Sequence, residues 1–84
     1  MPSSFSTEIV HNLLLRIVAA RKQAGVSQES LAEISGVDLG VVSRAERLQR
    51  IPGLASILDM AISLQLDVPD LFRAAIQEVQ QKAD

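Results

Sequence analysis

Apolar residues along the chain recur at three- and four-residue intervals, the period of helices packed on one face, and the chain reads as helices without strands. Ile9, Leu13, Ile17 and Ala20, with Leu14 and Val18 beside them, predict a first helix from about Thr7 to Ala24, which Gly25 ends. Leu31 and Ile34 form the apolar stripe of a short second helix, and Val42 and Ala45 the buried face of a third. A fourth starts after Pro52-Gly53 and carries Leu54, Ile57, Leu58, Ala61 and Leu64. Asp67 opens a fifth, about 67–82, whose wide apolar face is Leu71, Phe72, Ala75, Ile76 and Val79. Pro69 falls in its first turn, where proline costs no hydrogen bond, and Asp70 stands where a carboxylate reaches back in a capping box. Met1 to Ser6 and Gln80 to Asp84 read as frayed ends.

The second and third helices lie unusually close together. Ser27 is placed to cap the second, Gly36 ends it in the left-handed conformation that a Cβ disfavours, and Asp38 caps the third. Ala32 leaves room for two helices that cross steeply within a short turn. The segment of about 28–47 is therefore a helix-turn-helix candidate.

From Arg16 to Phe72 the chain resembles the phage-repressor (Cro/cI, Xre) helix-turn-helix family. The matching pieces are Arg21-Lys-Gln-Ala-Gly25-Val-Ser27-Gln28-Glu-Ser-Leu-Ala32, Gly36-Val37, Val42-Ser-Arg44-Ala-Glu46-Arg47, Pro52 and Leu66-Asp-Val-Pro-Asp-Leu71-Phe72. The resemblance implies an all-α, compact five-helix lambda-repressor-like DNA-binding domain, a dimer, and a third helix that docks in the DNA major groove. It also implies an ion pair between Arg21 and Glu46 that joins the first and third helices. Its base-reading positions fall on Asp38, Leu39, Gly40, Ser43 and Arg44.

Chemistry narrows those positions. Arg44 is the side chain able to donate two bonds to guanine O6 and N7, and Ser43 suits a base or a phosphate. Leu39-Gly40-Val41 offers no amide or hydroxyl, so Leu39 is left to touch thymine methyl groups or a protein partner. Gly40 either permits close approach to the duplex or merely weakens the helix by about 1 kcal/mol. Gln28, at a helix start, is placed to clamp a phosphate with its amide and free backbone N–H groups, while Arg47 and Arg50 flank the groove or are ordinary solvated arginines. The family often has glycine where this chain has Leu48.

Charge is unevenly distributed along the chain. The net charge is −2 and the isoelectric point about 5.2, against the basic balance usual for DNA-binding domains. Residues 16–50 nevertheless hold six basic residues against four acidic ones, net +2, and the remainder two against six, net −4. A basic half that carries the motif fits one face that meets phosphate.

Length and the remaining residue types exclude other classes. A chain of 84 residues reads as one small domain, 1–84. Cysteine is absent, so disulfides and thiolate metal sites are excluded. His11, the single histidine, has no second ligand nearby, no serine lies in a nucleophile elbow, and no glycine-rich phosphate loop occurs. No cofactor or enzymatic activity is expected. Two phenylalanines are too few for a single-strand stacking platform. No apolar run spans a bilayer and Met1-Pro-Ser-Ser lacks signal-peptide order, so the expected location is the cytoplasm, with no membrane partner.

Two function classes remain. The first is a homodimeric, sequence-specific regulator of double-stranded DNA, a repressor or other transcription factor similar in size and layout to restriction-modification controller proteins. The second is an antitoxin or protein-interaction module with a weakened motif, whose partner is a toxin or another protein. For the dimer, Ile76 and Val79 are expected as an exposed interface stripe on the fifth helix; the alternative folds that stripe back on the N-terminal segment around Phe5 and Ile9.

Overall fold

The computed structural model describes residues 2–83, with side chains from Phe5 onward. Five helices follow in order: α1 (Pro2–Gln23), α2 (Gln28–Ser35), α3 (Leu39–Glu46), α4 (Leu54–Ser63) and α5 (Val68–Ala83). No strand occurs among the described residues, so the fold is the expected all-α arrangement.

Small polar residues start three of these helices by accepting otherwise unpaired N–H groups. Ser27 Oγ accepts from Ser30 N–H at 3.0 Å, Asp38 Oδ2 from Gly40 N–H at 2.9 Å, and Asp67 Oδ1 from Asp70 N–H at 3.1 Å. The Asp70 carboxylate does not reach back; it pairs with Arg73 at 3.3 Å. Helix α2 stops at Gly36, whose φ of +75° turns the chain while its N–H still reaches the Ala32 carbonyl. Helices α1, α3 and α4 end in paired bonds of Schellman type, centred on Gly25, Leu48 and Gln65. At the last two, a side chain occupies the left-handed region, with φ of +58° and +60°.

The core forms where the helices meet. Leu13, Leu14 and Ile17 of α1, Leu31 of α2, Val42 and Ala45 of α3, Ile57, Met60 and Ala61 of α4, Ala75 of α5 and Val37 of the turn are all buried. Leu31 and Val42, facing each other's helices across the Gly36 turn, are fully enclosed. Truncation of such a leucine to alanine costs about 2–5 kcal/mol. Leu71 and Phe72 close this core from α5 and are half-buried.

Several expectations are corrected. Helix α1 starts at Pro2 instead of near Thr7, because Phe5 continues the Ile9, Leu13 and Ile17 row one turn earlier and is half-buried there. Helix α5 includes Gln80 to Ala83, residues with good helix propensity; Met1 and Asp84 lie outside the described residues. Ile34 is 57% exposed, since α2 turns Leu31 inward and leaves Ile34 on its flank beside α4, where Ser63 Oγ donates to its carbonyl at 3.5 Å. Val79 is not part of an exposed stripe. It is 6% exposed, one turn beyond the fully buried Ala75, and shares a groove with His11, Asn12 and Leu15 of α1. The middle of α1 supplies the surface that covers it. Ile76, on the neighbouring face, remains 36% exposed.

Helices α1 and α5 are also tied by polar groups. Glu78 accepts from Asn12 Nδ2 and from Arg16 Nη2 at 3.1 Å, with Lys82 at 3.7 Å, and these donors hold its carboxyl below the usual carboxylate range.

Candidate nucleic-acid interface

One carboxylate ties α1, the start of α2 and α3 together across their shared core. Glu46, on the last turn of α3, accepts Arg21 Nε at 2.5 Å and Arg21 Nη2 at 2.8 Å, and also Gln28 Nε2 at 2.8 Å. Arg21 further donates Nη1 to the Val26 carbonyl at 2.8 Å, which pins the α1–α2 turn. Both charged side chains are largely enclosed, at 10% and 11% exposure. Burial alone would raise the Glu46 carboxyl, but the hydrogen bonds from Arg21 and Gln28 and the charges of Arg21 and Lys22 outweigh it and hold it below its ordinary value. The bond to Glu46 likewise raises Arg21. A bidentate pair with every oxygen engaged is the geometry in which a buried ion pair resists separation.

This frame presents the outer side of α3. Leu39 and Arg44 are exposed, Gly40 and Ser43 half-buried, and Val42 and Ala45 face the core. Arg47 caps α3, and Arg50 follows in the exposed loop towards α4. Arg16, Arg21, Arg73 and Lys82 each have a carboxylate partner, whereas Arg44, Arg47 and Arg50 form no ion pair among the described residues. Three unneutralised guanidinium groups thus lie on α3 or within one short loop of it. Leucine at 48 keeps the left-handed turn where the family often has glycine, so the loop carrying Arg50 leaves α3 through ordinary Schellman bonds.

Two arrangements here were not anticipated. The Gln28 amide, expected on a phosphate, donates one N–H to Glu46, which leaves its second N–H for another acceptor. Asp38 and Arg44 both approach Gly40; a methyl group there would stand 3.0 Å from Asp38 Oδ2 and 3.1 Å from Arg44 Nη2. The i, i+4 spacing of Gly40 and Arg44 was the available signal for the second. The first had none, because Gln28 and Glu46 meet only through the crossing of α2 and α3.

Residues 17–71, well over half of the chain, match the Helix-turn-helix family model of Cro/cI/Xre-type proteins. The chain belongs to this helix-turn-helix family. Its members are DNA-binding regulators, and the match runs from α1 through the first turn of α5, the part of the fold that holds the Arg21–Glu46 frame and α3. No curated protein and no solved structure matches the chain. Among the described residues, no helix of this helix-turn-helix protein is long and apolar enough to cross a membrane.

Proposed function

We propose that this helix-turn-helix protein is a sequence-specific regulator that binds double-stranded DNA as a homodimer on a palindromic operator. The observation that carries the reading is the set of unpaired arginines, Arg44, Arg47 and Arg50, on and beside a rigidly held α3. Arg44 and Ser43 read base edges, Leu39 contacts thymine methyl groups, and Arg47, Arg50, Gln28 and the start of α2 engage phosphates. Asp38 caps α3 and Gly40 brings its backbone close to the duplex. Arg21 and Glu46 act structurally. The whole of 1–84 works as one domain without a cofactor, in the cytoplasm.

The test is selection of bound duplexes from a random pool, followed by salt-dependent binding of variants. Arg50→Ala should weaken all sequences equally and reduce the salt slope by about one charge. Arg44→Ala should cost about 1–3 kcal/mol on the preferred site and relax one position. Equal losses on preferred and random DNA would remove the base-reading role of Arg44. The acidic balance and exposed Leu39 favour a second reading, an antitoxin or other protein-binding module; a parent that selects no sequence supports it and overturns the first.

A further inference from the structure

We infer that Gly40 is a specificity-determining residue, because it provides the seat in which Arg44 is held over the first turn of α3. The inference rests on the DNA-binding reading above and assigns Gly40 a role that close approach to the duplex does not.

Residues 40 and 44 lie one above the other on the helix surface, and helical side chains lean towards the N-terminus, so Arg44 leans over position 40. With no Cβ there, the guanidinium descends until Nη2 lies 3.1 Å and Cζ 3.7 Å from where a methyl group would stand. Asp38 Oδ2 lies 3.0 Å from the same point and is fixed by its bond to the Gly40 N–H at 2.9 Å. Arg44 is therefore flanked by a restrained carboxylate without being consumed by it, for the two form no direct ion pair. The N-terminal turn of a recognition helix is the part that reaches base edges. A guanidinium drawn down to that turn presents its fork to a guanine at a set depth; one pushed outward by a few tenths of an ångström meets the same base edge out of bidentate register.

This accounts for a glycine in the first turn of an eight-residue helix, where alanine would raise helix propensity. All three atoms that a methyl group meets belong to side chains, Asp38 Oδ2 and two atoms of Arg44, so substitution shifts Arg44 and crowds the capping carboxylate without displacing any backbone.

The test compares Gly40→Ala, Arg44→Ala and the double variant with the parent. Gly40→Ala should unfold in urea at a midpoint no lower than the parent's. In duplex selection it should lose the preference that Arg44→Ala loses, with affinity for the preferred site down about tenfold. Adding Gly40→Ala to Arg44→Ala should change nothing further. Retained preference in Gly40→Ala, or additive losses, overturns the assignment. A DNA-free readout separates it from the binding reading: nitrogen-15 relaxation of Arg44 Nε should show a restrained group in the parent and a mobile one in Gly40→Ala, and equal mobility in both overturns the seat whatever the DNA result. A parent without sequence preference overturns the DNA-binding reading and the specificity role together.

Discussion

At Glu46 a proton is worth more than at an ordinary surface carboxylate. Its folded pKa is held below the ordinary 4.5, so the ion pair stabilises the fold above that pH and its contribution is lost as pH falls through the lower folded value. Glu46→Gln removes the charge while keeping the shape, and leaves Arg21 enclosed without a counter-charge. At neutral pH this should cost about 3–5 kcal/mol, a large part of the stability of a small domain. Chemical denaturation from pH 7 down to about pH 3 checks it: the gap between parent and variant should narrow below pH 4.5. Equal stability at neutral pH would show that the pair contributes nothing. The pair itself was legible only through the family resemblance, since residues 25 apart in sequence carry no local sign of contact. Arg44, Arg47 and Arg50 were legible as candidates by type and position. That they lack carboxylate partners while Arg16 has one could not be read from order along the chain.

The helix ends marked by Gly25, Gly36, Pro52-Gly53 and Pro69 were the most legible, because these residues act through their own backbone restrictions. The side on which a helix is covered was less so. Periodicity placed Ala75, Ile76 and Val79 on one broad face, but which part of it is covered depends on how α5 docks along α1, a contact between segments more than 60 residues apart in sequence. The caps at Leu48 and Gln65 were hidden for another reason: neither residue type announces a left-handed φ. Such a conformation costs about 1–2 kcal/mol for a residue with a Cβ. Gln65 is exposed and gains little in return, so Gln65→Gly should raise stability by about 1 kcal/mol. Leu48 is half-buried against the core, which offsets its strain. Leu48→Ala keeps the strain and loses the packing, and should therefore be less stable than Leu48→Gly. Urea midpoints of the three variants and the parent decide it: Leu48→Ala at or above Leu48→Gly would refute the strain, and Leu48→Gly at or above the parent would refute the offset.

For the whole molecule, charge and exposed apolar surface bear on assembly. With Val79 enclosed, Ile76 alone offers little area on α5. The larger uncovered row is on α4, where Leu54 and Ile62 are each 61% exposed and the half-buried Leu58 lies between them at i, i+4, i+8 spacing. A row of this kind suits a two-fold contact between two copies of the chain. The double variant Leu54→Asp, Ile62→Asp should sediment as a monomer at micromolar concentration where the parent is a dimer. Ile76→Asp should remain dimeric. A monomeric parent removes the proposed homodimer, and a double variant that sediments like a dimeric parent removes this interface.

The contacts of Glu78 with Asn12 and Arg16 span 66 and 62 residues of sequence. The polar ties that assemble the motif are far more local, with Gln28 and Glu46 only 18 apart and Arg21 and Glu46 25 apart. Closing the longest loop carries the greatest entropic cost, so on a folding trajectory the segment from the end of α1 to α4 condenses first and α5 docks last. Unfolding runs the order in reverse. Helix α5 is then expected to detach from α1 at a lower free energy than global unfolding while the frame around Glu46 stays assembled, and native-state hydrogen exchange that finds α5 amides as protected as those of α3 would refute this.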